Sequence, residues 1–565
     1  MLSLLLVSVL APLIAGCAIN PPRIIAISPG REAQDVATNQ DIKITFDRPM
    51  SHDSVEGRFN IAPKLAGCAS SQKTCHFAWT GNTLVFIHPH VNFDVSTNYA
   101  ISLRAGYADA SGQKNGLDHS WQFTTEGRPS LTSVDPPDNA TAVGLDRNIV
   151  LNFSRPMRMD SLQTAVQLTP DTPFLLRARP GGDGSQLEII PESLLHPNQA
   201  YTVSVDRPID VHDNAIYGRV QSRFRTGTSA LARKIGYLVG QRGEPAFAVA
   251  VVDPHPDPFL SRSTPKIVWR LSDQELLTDA ILSFDWSPDG QRLVAVQAAR
   301  TAAEGPVRIV DVPTGQVTRL GISASDTFWS PDGSIVYLTN GTLRRYRPGT
   351  LEDLPLTDPS EGRVFAPISF SPDGKSIAYA AADAQAVSHL WILNLDLRTR
   401  FRPIGLDDPA DHPSWSLDGT KIAFRRLTSG GPELWVYDLS ANGASSAGSY
   451  RRAAALDLTG AAWLNDNSTL IAASGYGTNG TLYRVNIFSA GEAGGIVKVT
   501  GTRDTPNGSV PATPGYDRRV GFVGIVDDLP QIFVMNGDGS RPQPLTMWEA
   551  DFPYTGLAPN WTTTG

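Results

Sequence analysis

At 565 residues the chain is too long for one ordinary hydrophobic core and implies two to four domains. Charged residues make up 18%, while 43 prolines and 49 glycines punctuate stretches rich in aromatic and β-branched residues, the composition of an all-β protein with many turns. A net charge of -8 without any Lys/Arg cluster excludes the electrostatic footprint of a nucleic-acid or anionic-membrane binder, so no nucleic-acid partner is expected.

Residues 2–16 are apolar and end in Leu13-Ile14-Ala15-Gly16-Cys17. This order resembles the lipobox of bacterial lipoprotein signal peptides. The resemblance implies cleavage before Cys17, a diacylglycerol on its thiol, and export of the rest with membrane attachment through that lipid. A plain secretory signal with an incidental cysteine, or a buried strand, is the alternative. No later apolar run is long enough to cross a bilayer.

A long repeat follows. Ile42-Lys43-Ile44-Thr45-Phe46-Asp47-Arg48-Pro49-Met50 returns as Ile149-Val150-Leu151-Asn152-Phe153-Ser154-Arg155-Pro156-Met157, offset by 107 residues. Trp121-Gln122-Phe123-Thr124-Thr125 returns as Ser222-Arg223-Phe224-Arg225-Thr226, offset by 101 residues. Short alternating strands broken by Pro, Gly, Asn and Asp predict two tandem antiparallel sandwiches, 18–126 and 127–228, with linkers near 126–130 and 227–233. The pair resembles bacterial Ig-like domains that carry an F-D-x-P-M strand end and close on F-x-T. That family implies a spacer or adhesion module and transfers no catalytic residue.

Cys68 and Cys75, seven apart in the first sandwich, are expected to form a local disulfide in an exported protein. Metal binding through Cys68, Cys75 and His76 needs a fourth ligand and a reducing compartment.

From 229 to 565 a second repeat takes over. Trp286-Ser287-Pro288-Asp289-Gly290 is followed by Trp329-Ser330-Pro331-Asp332-Gly333, Phe370-Ser371-Pro372-Asp373-Gly374 and Trp415-Ser416-Leu417-Asp418-Gly419, at intervals of 43, 41 and 45 residues. Degenerate copies lie at Trp463-Leu464-Asn465-Asp466-Asn467 and near Thr513-Pro514-Gly515-Tyr516-Asp517. Four short strands per period predict β-propeller blades. In each turn Pro presets φ, Asp bonds its own backbone, Gly takes the left-handed position and the aromatic packs between blades, so these residues are read as structural.

The region opens on a strand, Ile235-Gly236-Tyr237-Leu238-Val239, that lacks a preceding turn motif. It stops after Pro559-Asn560-Trp561, a motif with no strand behind it. The C-terminal strand is therefore expected to complete the first blade, giving seven blades, or six if a degenerate copy is a loop. The repeats resemble those of TolB-like periplasmic propellers and of the propellers in prolyl oligopeptidase-type peptidases, which implies the fold and little about function.

Catalytic signatures do not emerge. No G-x-S-x-G elbow occurs; Gly443-Ala444-Ser445-Ser446-Ala447 and Gly537-Asp538-Gly539-Ser540-Arg541 lack its second glycine. His88 and His90 are expected on one face of a strand, solvated or sheet-packed. The string Asp253-Pro254-His255-Pro256-Asp257-Pro258 reads as a stiff exposed loop, as do Asp407-Asp408, Asp527-Asp528 and Asp411 beside His412. Neither a phosphate loop nor metal-ligand cysteine spacing is present, so no cofactor, metal or catalytic residue is assigned. The expectation is a non-enzymatic envelope or cell-surface lipoprotein whose Ig-like spacers present a propeller to an envelope or extracellular protein or ligand. The alternative is a propeller enzyme, or an accessory subunit of an envelope hydrolase complex, with its site on one propeller face.

Overall fold

The computed structural model describes residues 20–65, 67–68, 75–88, 91–179, 182–228, 233–255, 264–403, 408–439, 449–475, 479–488, 495–501, 506–513, 518–546 and 555–561. Residues 1–19, and with them Cys17, lie outside these.

Each N-terminal domain is two four-stranded sheets. In the first, Ile24–Ser28, Ile42–Phe46, Thr83–Ile87 and His76–Thr80 face Ala33–Val36, His119–Thr125, Asn98–Leu103 and Phe59–Ala62. Alternation along Ile42–Phe46 turns Ile42, Ile44 and Phe46 inward, where they meet Tyr99, Ile101 and Phe123 from the opposite sheet. The second domain repeats the scheme: Ile149, Leu151 and Phe153 pack on Tyr201, Val203 and Phe224. In both, the methionine of Arg-Pro-Met is buried and its backbone bridges to a loop aspartate, Met50 to Asp109 and Met157 to Asp210. Cys68 and Cys75 form a disulfide with Cα atoms 5.2 Å apart.

The remainder is a β-propeller. Seven four-stranded antiparallel sheets succeed one another, and the first is assembled from both ends of the region. Sheet 1 orders Thr555–Trp561, Ile235–Gly240, Ala248–Val252 and Lys266–Arg270. Sheets 2 to 7 begin on Asp279–Trp286, Asp326–Trp329, Arg363–Phe370, Ala410–Trp415, Gly460–Trp463 and Gly508–Ala512. Thr555–Trp561 pairs with Ile235–Gly240 from Ile235 against Trp561 to Gly240 against Thr555.

Apolar clusters bind consecutive sheets face to face. Leu238 and Val249 of sheet 1 meet Phe284 and Trp286 of sheet 2. Five further clusters carry the contact through sheets 2 to 7, and Ile235, Val239 and Ala250 of sheet 1 pack on Val523, Ile532 and Val534 of sheet 7. Polar bonds between first strands add to this packing. Trp329 N donates to Asp285 Oδ2 (2.6 Å), Trp415 N to Ser369 Oγ (2.9 Å) and Trp463 Nε1 to the Ser414 carbonyl (2.9 Å).

The turns show how the repeat works. Asp289 Oδ1 accepts from Ser287 Oγ (2.5 Å) and Gln291 N (3.0 Å), while Gly290 takes φ +62°. Trp286, Trp329, Trp415 and Trp463 are buried between sheets. The serine, given no role by the sequence reading, is the hub. Ser287 Oγ, whose one proton goes to Asp289, also accepts from Arg292 N at 2.9 Å and lies 2.9 Å from the Arg292 carbonyl, and Ser371 and Ser416 likewise accept from Ser376 N and Lys421 N. In the degenerate turn of sheet 6 Asp466 accepts from Ser468 N and Thr469 N, and Asn467 adopts φ +51° where the four preceding copies have glycine.

Candidate functional site

The stretch 126–130, expected as a linker, begins with a buried carboxylate at the centre of a joint. Glu126 is 2% exposed, its backbone fixed within the first domain by bonds to Val36 and from Ser96. Its Oε1 accepts from His212 Nδ1 (2.8 Å), Asn214 Nδ2 (2.8 Å) and Thr38 N (3.3 Å), and its Oε2 pairs with the Arg155 guanidinium. Arg155 reaches on to Asp35 at 3.2 Å. Thr38 Oγ1 and Asn92 Nδ2 donate to the His212 carbonyl at 3.2 and 2.7 Å. Arg155, His212 and Asn214 belong to the second domain and every other partner to the first.

The loop that supplies His212 and Asn214 exists in both domains. Asp109 Oδ1 accepts from Ser111 N and Gln113 N, and Asp210 Oδ1 from His212 N and Asn214 N. In the second copy the side chains of His212 and Asn214 reach Glu126 at the end of the first domain. Glu126, Asp210 and His212 place ligand atoms within 4.8 Å of one another. That carboxylate already holds a guanidinium, which opposes a cation, and Asp210 is occupied by its own loop and by Asn214 Nδ2 (3.2 Å). The arrangement is a hydrogen-bonded, ion-paired joint.

A second joint ties the second domain to the propeller. Lys234 Nζ lies 2.7 Å from Asp146 and 2.8 Å from Asp253. Asp253 is thus part of an ionic clasp, in contrast to the exposed loop expected there; Pro256, Asp257 and Pro258 lie outside the described residues. Residues 192–194 run along the outer edge of sheet 1. Ile267 N donates to the Glu192 carbonyl (3.1 Å), Ser193 bridges Ile267 in parallel, and Leu194 packs with Trp269 and Leu271. An edge strand is thereby capped.

Beside this joint opens a cleft of about 710 Å³, lined among others by Asp146, Asn148, Arg179, Glu188, Lys234 and Lys266. Lys266 is 2% exposed and donates to the Pro191 carbonyl at 2.9 Å. Burial brings its ammonium down to about 7, partly offset by the charges of Asp146 and Glu188.

Two other expectations change. Asp411, read as an exposed loop residue, is 5% exposed within Ala410–Trp415. It accepts both Arg425 Nε and Nη2 at 2.6 Å and His412 Nδ1 at 2.8 Å. His412 has φ +52°, and Val510 and Ala558 share that conformation before Pro511 and Pro559, so the bend belongs to the X-Pro step of these first strands. His88 follows the strand Thr83–Ile87 and is buried, bonded to the Val91 and Gln40 carbonyls, because a ring with two such partners fits inside the core; His90 lies outside the described residues. Asp408 is held by Arg426 at 2.6 Å, Asp407 lies outside the described residues, and Asp527 and Asp528 form a left-handed hairpin turn.

The family model of the bacterial Ig-like domain matches residues 18–125 and again 126–226. The two N-terminal units are bacterial Ig-like domains. No curated protein matches the chain in sequence. Among solved structures the chain is similar to TolB from Acinetobacter baumannii, at 17% identity over 65% of this chain and 81% of that one, with a TM-score of 0.36. It is also similar to an oligogalacturonate lyase in complex with manganese (15% identity, 53% of this chain and 86% of that one, TM-score 0.39). A prolyl endopeptidase shares 11% identity over 68% of this chain and 50% of its own, with a TM-score of 0.40. The sheet topology itself defines the propeller. No helix among the described residues is long and apolar enough to cross a membrane.

Proposed function

We propose that the chain is a non-enzymatic envelope or cell-surface lipoprotein. Lipid on Cys17 attaches it to the membrane, and two Ig-like domains act as a stiff pedestal. The propeller is carried above them as a binding module for an envelope or extracellular protein or ligand. The seven sheets are read as seven blades of one ring closed by Thr555–Trp561. The observation that carries the proposal is the pair of joints. A spacer left to flex needs no buried Glu126–Arg155–His212 contact and no capped edge at Ile267. Attachment along the outer strand of sheet 1 leaves the loops at both ends of the blades available to a partner.

The test is a Cys17→Ser chain expressed in a bacterial host. Loss of membrane partitioning, with site-specific crosslinks from propeller loops to one recurrent envelope neighbour, supports the reading. Continued partitioning contradicts the lipid anchor.

A second reading, an active site or hydrolase accessory surface on one propeller face, is favoured by the Asp411–His412 pair, whose imidazole is oriented by a carboxylate that Arg425 immobilises. Hydrolysis of any glycoside or peptide substrate that ceases in His412→Ala would favour it over the first.

A further inference from the structure

A cleft of about 700 Å³ opens where sheets 6, 7 and 1 meet, on the side of the propeller that carries the Asp-Gly turns. Its floor is made by the turn residues Leu464 and Asp466 of sheet 6 and by Gly537 and Asp538 of sheet 7, and three arginines line it: Arg484, Arg518 and Arg519. Arg484 stands on the third strand of sheet 6, Thr481–Asn486. Arg518 precedes and Arg519 begins Arg519–Val526 of sheet 7, so the cationic groups come from two consecutive sheets that pack on each other.

The acids of the cleft are hydrogen-bonded within their own turns, and the charge of Arg484 also lowers the Asp538 carboxyl. Asp466 accepts from Ser468 N (2.9 Å), Thr469 N (2.8 Å) and Thr469 Oγ1 (2.8 Å), and Asp538 accepts from Ser540 N (2.8 Å). Arg519 Nη1 donates to the Pro254 carbonyl at 3.1 Å. The guanidinium groups of Arg484 and Arg518 make no ion pair or hydrogen bond to any described residue. Several other propeller arginines are ion-paired: Arg344 with Asp353, Arg425 with Asp411, Arg426 with Asp408. Two unpaired guanidiniums from neighbouring sheets, converging on one concavity with a third beside them, have the donor set that a tetrahedral oxyanion satisfies. A lone carboxylate is saturated by one guanidinium fork; an anion with three or more terminal oxygens bridges two or three.

We propose that this cleft is a binding site for a phosphate-bearing ligand, held between Arg484 and Arg518 and flanked by Arg519. The site spans the seam next to the closing sheet, so occupancy also ties sheet 6 to sheet 7. It does not depend on whether the chain is lipid-anchored.

Isothermal titration of the full chain with pyrophosphate and with inorganic phosphate tests the site. The expected result is saturable binding that weakens as ionic strength rises. Binding is expected to fall at least tenfold in Arg484→Gln/Arg518→Gln, with the thermal midpoint of the ligand-free protein unchanged. Arg518 is exposed, so the single Arg518→Gln variant folds and serves as the control for any loss of structure in the pair. Flotation with phosphatidylglycerol against phosphatidylcholine vesicles separates a lipid headgroup from a free phosphate compound: retention on the anionic vesicles alone, lost in the same variants, identifies the headgroup. Absence of pyrophosphate binding, or binding unaffected by the double substitution, overturns the proposal.

Discussion

Asn560 donates its side-chain amide to Asp285 Oδ1 at 2.7 Å, joining residues 275 positions apart across the seam between the C-terminal strand of sheet 1 and the first strand of sheet 2. The same carboxylate accepts from Trp329 N and Trp286 N, so one side chain links three consecutive sheets. Burial raises its carboxyl to about 6 against these three stabilising bonds, with the neighbouring Asp326 charge adding to the rise.

Asn560→Ala removes one donor and leaves Trp329 N and Trp286 N in place. The carboxyl of Asp285 should then titrate higher still, measurable by carboxyl-carbon NMR, and the propeller should lose about 1–3 kcal/mol in denaturant unfolding. Because the folded pKa is raised, the contribution of this group is fully present below pH 3.8 and is lost as pH rises through about 6. An Asp285→Ala protein should lack that slope, though it starts from lower stability.

Lys266 has the opposite sign. Its folded pKa is depressed from 10.5 to about 7, so its contribution is fully present above 10.5 and is lost as pH falls through about 7. Wild-type stability should therefore gain with pH across 7 to 10.5 from this residue. In Lys266→Met that gain should vanish, and neutral-pH stability should hold or rise, since an apolar side chain of similar length no longer confines a cation. Paired pH-stability curves decide it.

Glu126→Ala strands the Arg155 guanidinium beside Asp35 alone and removes the acceptor of His212 and Asn214. Breaking one side of a buried ion pair typically costs about 3–5 kcal/mol. The cost should appear as uncoupled unfolding of the two Ig-like domains in calorimetry, with the propeller transition unmoved.

Ser416→Ala tests the hub of the turn. It deletes a hydroxyl that donates to Asp418 Oδ1 (2.6 Å) and accepts from Lys421 N (2.9 Å), leaving that half-buried amide without its partner. A loss of about 1–3 kcal/mol is expected. Asn467→Gly, at a position already left-handed, should change stability by a few tenths of a kcal/mol. Equal effects from the two would argue against the assigned roles.

Much of the architecture is written locally. Trp, Pro, Asp and Gly act within six residues of one another, so their recurrence exposes the turns, and the headless strand at Ile235 together with the unpartnered motif at Trp561 points to the pairing found between them. The Arg-Pro-Met repeat marks the sandwiches for the same reason. The joints are different. Glu126 meets partners 86 to 88 positions away, and nothing near it in sequence separates a buried carboxylate from a polar linker residue. Asp411 misled for a related reason: it is polar and lies between Pro409 and Pro413, two positions from each, yet Arg425 on the adjoining strand makes its burial possible. The one available signal was a difference between repeats, His212 and Asn214 standing where the first domain has Ser111 and Gln113.

The stiffness of the pedestal is the central claim, and a distance across it is its most direct test. In a Cys17→Ser chain, spin labels on Lys114→Cys and Arg398→Cys, both exposed, report the separation of the first Ig-like domain from the far side of the propeller. A single narrow distance distribution that broadens in Glu126→Ala is the predicted result. A broad distribution in the unaltered joint, or one that Glu126→Ala leaves unchanged, would contradict it.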